Sequence, residues 1–259
     1  MTLFQAIILG IIQGFSEFLP ISSSGHLALT AWLFGLNEGD LFFVVTIHIG
    51  TLVPVFIFYR KDILQLIRKP FQKMTYLLIV ATLPAVVIAL LFEDHIDAAF
   101  TAMGFLSVGF AITAVVLLLT DKIKNSNKKS QDISYVDALL VGIAQGAAVF
   151  PGISRSGSTI VAALARGIKR EDAARFSFLM SIPAILGAMV LQISHIFRGN
   201  IALYQLDFVN LGAGFVAAML SGYLAIQLML NIVKKAKLRY FACYMFFIAA
   251  FTGAMVILL

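Results

Sequence analysis

Two short clusters hold most of the side chains in this chain that could do chemistry. The first is Gln13 and Glu17, followed by Ser22, Ser23, Ser24 and His26. Gln13 and Glu17 stand four apart, on one helical face. A carboxylate beside an amide oxygen could orient water, accept a proton or ligate a hard cation. The second cluster is Ser154, Arg155, Ser156, Gly157 and Thr159, just after Pro151-Gly152. If it runs into a helix start, backbone N–H groups, hydroxyls and the planar guanidinium fork make a clamp for phosphate oxygens. Glycine would let a ligand approach the backbone closely. His26 could be a general acid or base, a nucleophile, or a hydrogen-bond partner at a helix start. Glu17 has its own bland alternative, a carboxylate that pairs with an arginine to hold the fold.

The elements that must position these clusters are two copies of one unit. AIILGIIQGFSEFLPISSSGH, from Ala6 to His26, aligns without a gap with ALLVGIAQGAAVFPGISRSGS, from Ala138 to Ser158. Gln13 meets Gln145, Gly14 meets Gly146, Phe18 meets Phe150, and Ser22 meets Ser154, always at the same offset. A repeat of about half the chain means two fused copies rather than a solenoid. The copies differ where it matters: Glu17 faces Val149 and Arg155 faces Ser23 in the alignment. One loop has kept acid/base or metal-binding groups and the other an anion clamp, which argues for chemistry on a phosphate.

Composition says where this happens. The chain has 259 residues, 61% of them hydrophobic and 12% charged, with a mean hydropathy of +0.97. Soluble domains are about one quarter charged, so an integral membrane protein is expected. A net charge of +6 could suggest nucleic acid, but the Lys and Arg residues gather in loops that set membrane orientation. Cys243 can form no internal disulfide and reads as a packing residue, as do His48 and His195. With no Lys or Arg before Arg60, the N-terminus does not read as a cleaved signal peptide.

The expected fold class is an all-α polytopic membrane protein of two inverted-topology repeats. Each would hold one re-entrant helix pair and three transmembrane helices. The first repeat covers 1–120, with its re-entrant pair at 3–35 and spans at about 41–59, 74–92 and 100–120. Loops are expected at Ile21–Gly25 and Phe150–Gly157. A linker at 121–134 leads to the second repeat at 135–259, with a pair at 135–166 and spans at about 173–197, 207–230 and 240–259. Irregular backbone at membrane depth is tolerated only against protein or a wet cavity. Basic loops at 60–73, 121–134, 166–175 and 231–239 would face the cytoplasm, leaving the loops at 93–99 and 198–206 and both termini outside. An odd number of spans between the copies inverts the second, so the two Ser/Gly loops should meet near the midplane.

With these residues in view the sequence resembles, over essentially its full length, the undecaprenyl-diphosphate phosphatase family linked to bacitracin resistance. Its Glu/Gln-x-x-x-Glu motif is matched by Gln13 and Glu17, and its Ser-rich Gly-His loop by Ser22–His26. Its Pro-Gly-x-Ser-Arg-Ser-x-x-Thr signature is matched by Pro151–Thr159. Type-2 phosphatidic acid phosphatases also use a Ser-Gly-His element, but the second histidine they need is missing after Ser154-Arg155. The resemblance implies hydrolysis of undecaprenyl diphosphate to the monophosphate carrier for cell-wall synthesis, in the bacterial plasma membrane, with the site open to the outer face. Glu17, His26, Ser23 and Arg155 would be catalytic, Ser23 as nucleophile or ligand. Ser22, Ser24, Ser154, Ser156, Gly157 and Thr159 would bind substrate. Gln13 and Glu17 would hold Mg²⁺ or Ca²⁺. The expected partners are the polyprenyl diphosphate lipid and membrane lipids, with no nucleic acid and room for a homodimer. The rival expectation is a polyprenyl-phosphate transporter or flippase on the same inverted repeat.

Overall fold

Long apolar runs broken by Pro, Gly and charge clusters become helices throughout a computed structural model of the chain. It describes residues 1–36, 41–123, 127–198, 207–235 and 238–258, without the side chains of 41, 121 and 191–198. In order come α1 (Leu3–Phe18), α2 (Ser23–Leu33), α3 (Leu41–Phe58), α4 (Arg60–Arg68), α5 (Lys73–Leu91), α6 (Glu93–Thr101) and α7 (Met103–Leu118). After two 3₁₀ turns follow α8 (Tyr135–Ala147), α9 (Arg155–Ala165), α10 (Arg170–Arg198), α11 (Phe208–Lys234) and α12 (Arg239–Leu258). Residues 199–206 of the expected loop at 198–206, Lys124, Lys237 and the side chain of His195 lie outside the described residues.

Among the described residues, α5, α10, α11 and α12 are each long and apolar enough to cross a membrane. There are six such spans if two bent pairs count as one each: α3 with α4, bent by 87°, and α6 with α7, bent by 100°. The protein is thus an all-helical, multi-pass membrane protein. Its outer surface fits that solvent: Ile79, Leu83, Val86, Val87 and Leu90 of α5 are all exposed, an apolar face that water would penalise. α4 and α6 fall in stretches expected to be loops. α4 (RKDILQLIR) has polar residues on one side and buries Ile63 on the other, the pattern of a helix lying along an interface.

The two copies use the same devices. Thr2 caps α1 in a capping box with Gln5, and Ser134 caps α8 in one with Asp137. α1 packs along α11 while α8 packs along α5, and α7 runs along α12. Both close packings need glycine. A Cβ on Gly142 would stand 2.5 Å from the Ala81 carbonyl oxygen, and one on Gly10 would collide with that of Gly214. The largest apolar core gathers Phe18, Leu77, Ile133, Ile160, Phe176, Phe178 and Met229 around the ends of the short helices. Cys243 is exposed on α12 rather than packed.

Candidate active site

Each Ser/Gly element starts a helix, and both starts are built alike. Ser22 caps α2 by accepting the Gly25 N–H at 3.3 Å, and Ser154 caps α9 by accepting the Gly157 N–H at 3.1 Å. Ser22 and Ser24 hydroxyls lie 3.5 Å apart; Ser154 and Ser156 hydroxyls lie 3.3 Å apart. These caps make the helices begin at Ser23 and Arg155, inside the stretches expected to be loops. Arg155, Ser156 and Gly157 therefore form the first turn of α9, whose N–H groups point toward its open end.

The two starts face each other. The Ser156 hydroxyl donates to the Leu19 carbonyl at 3.0 Å, and a Cβ on Gly157 would lie 3.2 Å from Cβ of Pro20. Between them Arg155 pairs with Glu17, Nη2 to Oε1 at 2.5 Å, with side chains 15% and 6% exposed. Oε2 of Glu17 accepts from the Ser23 hydroxyl at 2.7 Å and from Gln13 Nε2 at 3.1 Å. A buried carboxylate is sustained only when its lone pairs are met in this way. The pair leaves Arg155 at the edge of the cluster, since its Nη1 reaches only the Ser177 carbonyl at 3.4 Å.

Other helices support the second start. Gly152, at φ +85°, lies against α7, where Thr113 donates to its carbonyl and accepts the Ser154 N–H, both at 2.9 Å. The Thr159 hydroxyl donates to the Arg155 carbonyl at 2.8 Å and lies 2.6 Å from the hydroxyl of Ser177 on α10. Thr113, Ser177 and His48 also belong to the site's surroundings, although none stands in the two Ser/Gly clusters and the sequence alone gives His48 a packing role. His48 of α3 ties its Nδ1 to the Val44 carbonyl at 2.8 Å and lies within electrostatic reach of Glu17. For Thr113 the one signal was a single polar residue within an apolar run; Ser177, near Arg175 and Ser181, and His48, between Thr46 and Thr51, carried less.

His26 sits at the first start but does not face Glu17. Its Nδ1 is 2.9 Å from the Ser22 carbonyl and its Nε2 is 2.7 Å from the Tyr244 hydroxyl of α12. Ser22 is the one non-glycine with positive φ among the described residues, at φ 68° and ψ 99°, a backbone costing on the order of 1–3 kcal/mol.

For a cation, the candidate oxygens are the Glu17 carboxylate and Gln13 Oε1, which is buried without a hydrogen-bond partner. Oxygen donors suit a hard ion that also takes water and phosphate oxygens, so these residues fit Mg²⁺ or Ca²⁺. Among the described residues no three His, Cys, Asp or Glu side chains come together, so the protein share of such a site would be small.

Comparison with known proteins places the chain among its relatives. The chain is 47% identical over 244 residues to the undecaprenyl-diphosphatase of Carboxydothermus hydrogenoformans, covering 94% of each chain. It is 48% identical over 240 residues to undecaprenyl-diphosphatase 4 of Bacillus thuringiensis, covering 93% of this chain and 92% of that one. To the undecaprenyl-diphosphatase of Halothermothrix orenii it is 42% identical over 261 residues, covering 100% and 98%. The family profile described as "Bacitracin resistance protein BacA" matches residues 6–251. The chain belongs to the bacitracin resistance protein BacA family.

Proposed function

We propose that this protein hydrolyses undecaprenyl diphosphate to undecaprenyl phosphate and inorganic phosphate, returning the lipid carrier to peptidoglycan synthesis. The observation that carries the reading is the meeting of Glu17 and Ser23 with Arg155, from opposite halves of the chain. The names of the relatives support it. The carrier reading draws no comparable support.

Phosphoryl transfer is mostly positioning and charge neutralisation. Arg155 would turn from Glu17 to the phosphate oxygens, joined by the Ser154, Ser156 and Thr159 hydroxyls and the first N–H groups of α9. Glu17 would then be free to take the Ser23 proton along the hydrogen bond already formed, leaving Ser23 Oγ to attack the terminal phosphorus. The bridging P–O bond breaks and the lipid monophosphate leaves with the proton from Glu17. Glu17, a carboxylate again, takes a proton from water, whose oxygen attacks the phosphoserine, and phosphate leaves as Ser23 regains its proton. Gln13 and Glu17 would hold Mg²⁺ or Ca²⁺, which when bound neutralises phosphoryl oxygens. His26 would hold the first start rather than touch the phosphate.

The arrangement proposed around this chemistry is two inverted repeats, at 1–120 and 135–259. Their re-entrant pairs would be α1–α2 and α8–α9, with the site near the midplane and open to the outer face of the bacterial plasma membrane. The paired packings of α1 on α11 and α8 on α5 and the odd number of expected spans between the copies support it. Phosphate release from undecaprenyl diphosphate by purified protein in detergent, with and without Mg²⁺, tests the function. Release is expected; folded protein that gives none would contradict the proposal.

A further inference from the structure

We infer that Tyr244 is a positioning residue of the site, acting through His26 to hold the strained Ser22 turn that presents Ser23 to Glu17. The chain of contacts is short. The Tyr244 hydroxyl is 2.7 Å from Nε2 of His26, and Nδ1 of the same ring is 2.9 Å from the Ser22 carbonyl. The ring is held between Phe110, with centroids 5.2 Å apart, and Tyr244, whose plane lies 15° from its own.

Proton placement follows from the partners. A carbonyl oxygen has no proton to give, so Nδ1 must carry one. In the neutral ring Nε2 then holds the lone pair and accepts the Tyr244 O–H. Without that hydroxyl only the Ser22 carbonyl favours this tautomer; the alternative, which sets a lone pair against that carbonyl, no longer competes with an Nε2 lone pair already engaged.

The second copy supplies the internal control. There Ser158 stands where His26 stands in the first. Its N–H meets the Ser154 carbonyl at 2.9 Å, as the His26 N–H meets Ser22 at 3.2 Å. No imidazole adds a second bond, and Ser154 keeps an ordinary φ of −74°. Positive φ at the capping serine and the His26–Tyr244 pair occur together in one copy and are absent together from the other, whose Ser/Gly stretch has its positive φ on a glycine, Gly152. The residue after Ser22 is Ser23, which reaches Glu17 at 2.7 Å, so a relaxed turn would re-aim the hydroxyl that Glu17 activates.

The activity readout rests on the hydrolase reading; the spectroscopic one does not. Histidine-selective ¹⁵N NMR of the wild-type protein in detergent is expected to show His26, assigned by its loss in His26→Gln, as the neutral tautomer protonated at Nδ1. Tyr244→Phe keeps the aromatic seat and removes only the hydroxyl. It should shift that signal toward a tautomer mixture and lower kcat on the order of 10–100-fold, with KM and the melting temperature near wild type. A wild-type His26 protonated at Nε2 alone would overturn the inference whatever the variant does. So would a Tyr244→Phe protein with kcat within twofold of wild type. If the wild type releases no phosphate, the hydrolase reading fails while the NMR result still decides the relay.

Discussion

Arg155 reaches across 138 positions of sequence to meet the Glu17 carboxylate at 2.5 Å. The pair joins two copies of one unit at the residues where the copies differ most in charge. Removing either partner would leave a buried charge alone, at a cost of about 3–5 kcal/mol. This link therefore serves the fold as well as the proposed chemistry, and a test of either must separate the two.

Cation dependence should be visible at Gln13. Chelation is expected to stop phosphate release and added Mg²⁺ or Ca²⁺ to restore it. Gln13→Ala should raise the cation concentration for half-maximal activity by about 10–100-fold. Release untouched by exhaustive chelation would leave Glu17 as a base alone.

The close packing of the short helices predicts a sharp contrast between glycines. Gly142→Val forces side-chain atoms against the Ala81 backbone and should destabilise by about 1–3 kcal/mol. Gly104→Ala, where a Cβ meets nothing within 4 Å, should leave thermal unfolding in detergent almost unchanged. Equal melting temperatures for the two variants would contradict the packing described for α8 and α5.

Asp137 gives a pH dependence at the polar end of α8. Burial pushes its carboxyl up, but Lys128, the Ser134 N–H and hydroxyl, and Arg166 outweigh that and hold it well below the usual carboxylate range. A lowered folded-state pKa means stability present above about pH 4, the unfolded value, and lost as pH falls toward the folded one. Wild-type protein should lose melting temperature on acidification below about pH 4. Asp137→Asn should start lower at neutral pH and lose less on acidification. A variant with the wild-type profile would remove Asp137 from this account.

Orientation can be read with one thiol. In a Cys243→Ala background, Asp94→Cys on α6 should react with an impermeant thiol reagent from outside intact cells. Labelling only after lysis would invert the proposed topology.

Much of this was legible in the sequence because the repeat is ungapped: identical serines and glycines at a fixed offset predict two similar helix starts. The parity of spans between them predicts that the starts meet, and Leu19, Ser156, Glu17 and Arg155 do meet. What was hidden lies on other helices. Thr113, Ser177, His48 and Tyr244 lie on largely apolar helices far in sequence from the two clusters, and only tertiary packing brings them to the site. His26 shows the same limit, since its residue type points to acid/base work while its two ring nitrogens are both engaged elsewhere. The helices α4 and α6 were hidden by charge, which marks a loop and an interfacial helix alike. In α4 the spacing of Ile63, Leu64 and Ile67 was a readable amphipathic signal.

The central claim is that Glu17 and Arg155 act on one diphosphate. The most direct test compares phosphate release from undecaprenyl diphosphate by wild type, Arg155→Lys and the neutral double variant Glu17→Gln/Arg155→Gln, at matched amounts of folded protein. The double variant removes the unpaired charge, so it should fold while releasing phosphate on the order of 10²–10³-fold more slowly. Arg155→Lys keeps the charge but loses the fork, and should also fall well below wild type. Turnover within a few-fold of wild type in the double variant would contradict the account.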